Sequence, residues 1–257
     1  MSCSRPWKVA ACYALPLALW SVLPARAAEN PAVAVAPAAA SAPAAAASAV
    51  IEPASAEFLA LQRRAEAGEA VAQFELAKAL ELGRGSGQAR DFKLALPWYL
   101  KAAEQNHAEA QSRLGAHYQT TKQDAEALRW LERAAALGHA RATNNLASMY
   151  DFGQGVPQDG PRAIHYYTRA AELGWPEAMW NLANIYGAGR YGAADMELAC
   201  VWALRARKYA EPDYRAVLNQ VNKKMALIER SLGSERMASC RERAEAWQPQ
   251  PPRTTAP

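Results

Sequence analysis

A motif that returns four times between Ala72 and Lys208 restricts this chain to a stacked-repeat architecture, because a unit of that length cannot bury its apolar face alone. Trp98, Trp130, Tyr166 and Trp202 recur at intervals of 32, 36 and 36 residues. Four residues after each aromatic stands an alanine, Ala102, Ala134, Ala170 and Ala206, and the first three continue as Ala-Ala. Upstream, Ala72, Leu76 and Leu80 reappear as Ala110, Leu114 and Tyr118, as Ala142, Leu146 and Tyr150, and as Ala178, Leu182 and Tyr186.

Both segments of the unit carry helical spacing. The upstream set repeats every four residues, and the downstream set (Ala95, Trp98 and Ala102, with its three counterparts) every three and four, so each lies on one helix face. The unit is therefore a pair of helices, A and B, and the chain is predicted to be all-α. A glycine-rich turn separates them: Gly83, Gly85 and Gly87 in the first unit, Gly153 and Gly155 in the third, Gly187, Gly189 and Gly192 in the fourth. Asp91, Asp159 and Asp195 stand seven residues before the aromatic, placed to cap helix B. Gly138 and Gly174 close the second and third units, with Asn106 in the same place after the first.

Three departures carry expectations of their own. The second unit lacks the glycines, so its turn must be tighter. Pro97 falls inside helix B of the first unit, which predicts a kink or a late helix start. Leu80 stands where the other units have tyrosine. A solenoid also needs end units with a different outer face. The chain thus divides into an amino-terminal cap helix at residues 55–68, repeats at 69–106, 107–138, 139–174 and 175–209, and a carboxyl-terminal cap at 210–247 read as a helix pair.

Outside the repeats, residues 1–27 read as a cleaved secretory signal. Arg5 and Lys8 give a basic start, Val9 to Leu23 is almost wholly apolar, and Ala25-Arg26-Ala27 offers small residues at the two positions a signal peptidase reads. The apolar run falls short of the roughly 20 residues a membrane span needs. The expected location is periplasmic or secreted, with no transmembrane span after cleavage. Residues 28–54, nearly all Ala, Pro, Val and Ser, and the proline-rich 248–257 are predicted to be a disordered linker and tail.

Charge and cysteine usage fit that reading. Of the formal charge of +4, three positive charges, Arg5, Lys8 and Arg26, lie within residues 1–27, which leaves +1. Basic and acidic residues alternate without forming a stripe, so no nucleic-acid partner is expected. Removal of the signal leaves two cysteines, Cys200 and Cys240, the number for one disulfide in an oxidising compartment, the alternative being two separately buried thiols.

No residue set points to catalysis, a cofactor or a metal. His107 and His139 open successive A helices as a repeat feature, His165 is read as solvated, and His117 as a partly buried structural histidine. No His/Cys cluster has zinc spacing. Gly83 to Gly87 follows no strand and precedes no Gly-Lys-Ser/Thr, so it is a turn and not a phosphate loop. The chain is predicted to be non-enzymatic.

The run Ala142-x-x-x-Leu146-Ala147-x-x-Tyr150-x-x-Gly153-x-Gly155-Val156-Pro157-x-Asp159, continued by Ala163-x-x-Tyr166-Tyr167-x-x-Ala170-Ala171-x-x-Gly174, resembles the Sel1-like repeat, a relative of the tetratricopeptide repeat. The resemblance covers Ala72 to Lys208, and the ending Ala244-Glu245-Ala246-Trp247 is similar to the terminal helix of exported relatives. It implies a right-handed α/α superhelical solenoid with helical caps, whose A helices line the inner surface and hold a protein or peptide partner. The positions facing that partner would be Phe74, Glu75 and Lys78; Ser112, Arg113 and Ala116; Asn144, Asn145 and Ser148; Trp180, Asn181 and Asn184. Asparagines suit a peptide backbone and Trp180 an anchor, while Asn145 and Asn181 could instead brace neighbouring turns. The implied role is a scaffold or adaptor in the cell envelope. A competing implication is an enzyme-like member that interacts with β-lactams or peptidoglycan. Such relatives carry a disulfide in every repeat, whereas here only Cys200 lies in one.

Overall fold

The computed structural model describes residues 54–87, 89–210 and 214–250, and the expected signal, most of the linker and the last seven residues lie outside them. Among the described residues the secondary structure is helical: α1 (Ala56–Glu66), α2 (Ala70–Leu82), α3 (Phe92–Glu104), α4 (Ala108–Thr120), α5 (Asp124–Ala136), α6 (Ala140–Phe152), α7 (Gly160–Glu172), α8 (Pro176–Ala188), α9 (Met196–Tyr209) and α10 (Arg215–Glu245). The helices α2 to α8 are each 13 residues long. Within units α2 packs on α3, α4 on α5, α6 on α7 and α8 on α9, and α10 closes the stack on α9. Non-helical backbone at Gly233 divides α10 into two helical segments. The result is an all-α solenoid.

Local chemistry sets the helix ends. The Asp91 carboxylate accepts from the Lys93 backbone N–H at 2.7 Å, Asp159 from Arg162 at 2.9 Å and Asp195 from Leu198 at 2.8 Å, satisfying donors that the first turn leaves free. Asn106 takes the left-handed backbone (φ 63°) that Gly138 (φ 77°) takes one unit later. In the tight turn of the second unit that conformation falls on Lys122 (φ 57°). Gly155 shows why the longer turn needs glycine: its φ is +68°, and a Cβ there would lie 2.4 Å from Asp124 Cβ of the preceding unit. Pro97 does not delay its helix, which starts after the Asp91 cap and runs through the exposed proline. Gly187 lies inside α8 and not in the turn.

The core is built from small residues in register. Ala72, Ala110, Ala142 and Ala178 from the A helices and Ala102, Ala134, Ala170 and Ala206 from the B helices are buried, and the larger Leu76, Leu114, Leu146 and Leu182 fill the space between them. The stripe on helix B differs from the sequence expectation. Trp130 and Trp202 are buried, but Trp98 and Tyr166 are only half-buried. The deepest column is one residue later: Tyr99, Leu131, Tyr167 and Ala203. The half-buried Trp98 is covered instead by Lys101, whose Nζ lies 4.2 Å from the ring centroid.

Two of those deep tyrosines meet a carboxylate at the end of their own helix A. Tyr99 donates to Glu81, and Tyr167 to Asp151 at 3.4 Å. Asp151 is 3 % exposed and also accepts from Arg190 of the next unit, at 2.8 Å to each oxygen, and from Tyr191. Burial, followed by the charge of Asp151, pushes the Tyr167 phenol well above its ordinary value. Replacing Asp151 by alanine would leave Arg190 and Tyr167 without their carboxylate acceptor, while Tyr191 keeps the backbone carbonyl of residue 151 at 2.9 Å. The expected cost is about 2 to 3 kcal/mol, below that of a fully buried pair because Arg190 is partly solvated. Urea unfolding of Asp151→Ala checks it, and a midpoint equal to wild type would contradict it.

Cys200 and Cys240 are bridged, with Cα atoms 6.1 Å apart, joining α9 to the second segment of α10. The chain then turns back: Trp247 packs edge-on against Trp202 and Tyr209, and the Gln250 N–H donates to Glu172 O of α7 at 2.7 Å. The tail expected from 248 onward is thus anchored as far as Gln250.

Candidate functional site on the A-helix face

Helices α2, α4, α6 and α8 align residue for residue, so each position forms a column across the stack. The second position carries Glu109, Arg141 and Glu177 in turn. Glu109 accepts from Arg141 Nη2 at 2.6 Å, lies 2.6 Å from His139 Nε2 and 3.6 Å from Arg113 Nε, and Arg113 reaches back to Glu81 at 3.5 Å. One acid thereby ties the A helices of two units together.

His139 and its counterpart His107 cap their helices through Nδ1, which accepts from Ala142 N at 3.2 Å and from Ala110 N at 3.3 Å. His107 also stacks on Phe74, with ring centroids 4.5 Å apart. His117 stacks on Phe92 at 4.1 Å, and His165 is exposed.

Beyond this charged section the face becomes an amide strip. Asn181 Nδ2 donates to Asn144 Oδ1 at 3.2 Å, and Asn144 Nδ2 lies 3.5 Å from Asn145 Oδ1. The first bond joins side chains of the adjacent A helices α8 and α6, the second joins two neighbours on α6, and neither goes to turn backbone. Asn144, Asn145, Ser148, Trp180, Asn181 and Asn184 are all half-buried, so part of each remains open. Lys78 and Arg113 are half-buried too, the former paired with Glu75 at 3.8 Å. Phe74 and Ser112 do not face outward as expected. Phe74 is buried beneath the His107 ring, and Ser112, 0 % exposed, lies under Arg141, whose Nε is 3.4 Å from its Oγ.

Sequence reasoning missed Glu109 and Arg141, although their spacing of 32 residues repeats that of the stripe aromatics. It also missed Lys224 of α10, which donates to Asn184 Oδ1 at 2.6 Å and lies 5.5 Å from the Trp180 ring centroid. Lys224 belongs to no repeat column, so no spacing signals it. Two open clefts lie elsewhere, one between α1, α2 and α3 and one between the start of α9 and the break in α10, and neither includes a residue of the amide strip.

The electrostatics of this face give it an acid-sensitive stability. Burial would raise the Glu109 carboxyl, but the His139 hydrogen bond and the charges of Arg141, His139 and Arg113 outweigh it and hold the group below its ordinary 4.5. Burial lowers His107 below 6.5 against the opposing pull of Glu109 and Glu75. For His107 the unfolded chain takes up the proton first, so its contribution is complete above pH 6.5 and is lost as pH falls towards the lowered folded value. The Glu109 contribution is lost at lower pH, below 4.5. A protonated His107 also cannot accept at Nδ1. Asparagine keeps the cap without titrating, so His107→Asn is expected to lose less stability than wild type between about pH 7.5 and 5.5. Equal losses in paired thermal melts would contradict this.

Residues 70–107, 108–139, 140–175 and 176–208 each match the Sel1 repeat family model. The fold is similar to the crystal structure of a Sel1 repeat protein from Oxalobacter formigenes, with 33 % identity, a TM-score of 0.60, and coverage of 76 % of this chain and 78 % of that one. It is also similar to c5321, a protective antigen present in uropathogenic Escherichia coli strains that displays an SLR fold, with 28 % identity and a TM-score of 0.65. That match covers 74 % of this chain but spans only 40 % of c5321. No curated protein gives a significant match. With its four helix pairs each matching the repeat in sequence and stacking as the solved relatives do, the chain belongs to the Sel1 repeat family.

Proposed function

We propose that this protein is a non-enzymatic scaffold of the cell envelope that holds a protein or peptide partner along its A-helix face. Sel1 repeats generally serve as protein-interaction scaffolds, and the observation that carries the reading here is the half-open amide strip of Asn144, Asn145, Asn181 and Asn184 beside Trp180. A carboxamide both donates and accepts, which suits the alternating N–H and C=O groups of an extended peptide. Trp180 supplies the apolar surface that anchors such a contact. The envelope location rests on the signal-like residues 1–27, and among the described residues no helix is long and apolar enough to cross a membrane.

Crosslinking in intact cells followed by pull-down tests the binding reading. A partner captured by wild type and lost from Trp180→Ala at unchanged melting temperature supports it. The same partners recovered by both would overturn the role given to this strip. Amino-terminal sequencing of protein from the envelope fraction tests the location: a start at Ala28 is expected, and an intact Met1 in the cytoplasmic fraction would contradict it.

A further inference from the structure

At the carboxyl end of the amide strip, Lys224 lies across α8. Its Nζ donates to Asn184 Oδ1 at 2.6 Å and stands 5.5 Å from the Trp180 ring centroid, and among the described residues no carboxylate reaches it. Its stem passes over Gly187, where an added Cβ would lie 3.3 Å from Lys224 Cε. Arg190, the charged group that acts on Lys224, has its own acid in Asp151, which accepts two bonds from it. Arg190 adds like charge beside Lys224, and burial followed by that charge lowers the Lys224 pKa. A half-buried ammonium held by one amide oxygen and a ring face is incompletely compensated. A carboxylate is the group that would complete it.

We propose that Lys224, with Trp180 and Asn184 beside it, is the point at which the peptide held on the A-helix face places a carboxylate. This rests on the binding reading above and adds to it the chemistry and position of one partner group. From Lys224 the strip continues through Asn184 and Asn181 to Asn144, so a bound peptide runs from α8 towards α6 with its acid at the Lys224 end. That acid is either the terminal carboxylate or an Asp or Glu side chain.

Random dodecapeptides, displayed once with a free carboxyl terminus and once with that terminus fused, are selected against the full-length mature protein. Enriched peptides are then resynthesised and their affinities measured by fluorescence anisotropy for wild type, Lys224→Gln, Lys224→Arg and Asn181→Ala, each checked by thermal melt. The expected result is enrichment for one acid and a loss of about tenfold or more in Lys224→Gln, largely restored in Lys224→Arg. Neutralising the acid should weaken wild type equally and Lys224→Gln no further. Sensitivity to carboxyl-terminal amidation identifies a chain end, and sensitivity to Asp→Asn or Glu→Gln a side chain. Enriched peptides without a required acid, weakened by Asn181→Ala but not by Lys224→Gln, overturn the carboxylate site and leave the binding face standing. No enrichment, or binding indifferent to both substitutions, overturns the binding face and the carboxylate site with it.

Discussion

Trp130→Ala is expected to cost about 3 to 5 kcal/mol of stability, the range for deleting a large buried aromatic. Trp130 is 2 % exposed and sits in a cluster with Phe74, Tyr99 and Leu114, while Ala127 and Leu131 of the same helix belong to the larger core that runs on through the later repeats. Helix α5 therefore joins the amino-terminal core to the rest. The guanidinium carbons of Arg129 and Arg133 lie 5.0 and 4.8 Å from the ring centroid and complete its cover. Because stability in a repeat array propagates through neighbouring interfaces, the loss should uncouple the first repeat from the later ones and broaden or split the transition. Trp130→Phe keeps most of the volume and removes an indole N–H that has no partner, so it should lose less than about 1.5 kcal/mol. Denaturant unfolding read by circular dichroism checks both. An unchanged midpoint for Trp130→Ala would show that the aromatic does not hold the two cores together.

Removing the Cys200–Cys240 bridge has an expected effect of similar size. The bridge closes a sequence separation of 40 residues, for which the chain-entropy model gives about 4 kcal/mol. Both half-cystines are buried, Cys200 within helix α9 and Cys240 within α10, so their replacement also disturbs the packing of the cap. Reductant should lower the unfolding midpoint of wild type and leave that of the Cys200→Ala/Cys240→Ala variant unmoved. Alkylation of both cysteines in denatured, unreduced protein would contradict the bridge.

The stacked architecture was legible because its signals are local and repeat: apolar spacing, the capping Asp91, Asp159 and Asp195, and the left-handed position shared by Asn106 and Gly138. The deepest column was not, because Tyr99, Leu131, Tyr167 and Ala203 change in size and polarity from unit to unit, while the column one residue earlier is aromatic in every unit. One residue turns a helix by about 100°, enough to separate a half-covered ring from a buried one. The face of the A helices was legible in outline and wrong where a neighbouring unit intervenes. Phe74 and Asn144 occupy the same column, but His107 covers the first, and no pattern within one repeat predicts a cover supplied by the next. Lys224 was invisible for the same reason, since it reaches Trp180 and Asn184 from the cap.

The most direct test of the account is a photoreactive benzophenone amino acid placed singly at Asn145 on the A-helix face and at Glu132 on the exposed surface of a B helix, with irradiation in intact cells. The account predicts a discrete protein adduct from Asn145 and none from Glu132. Adducts from Glu132 with none from Asn145 would place the partner on the opposite face and contradict it.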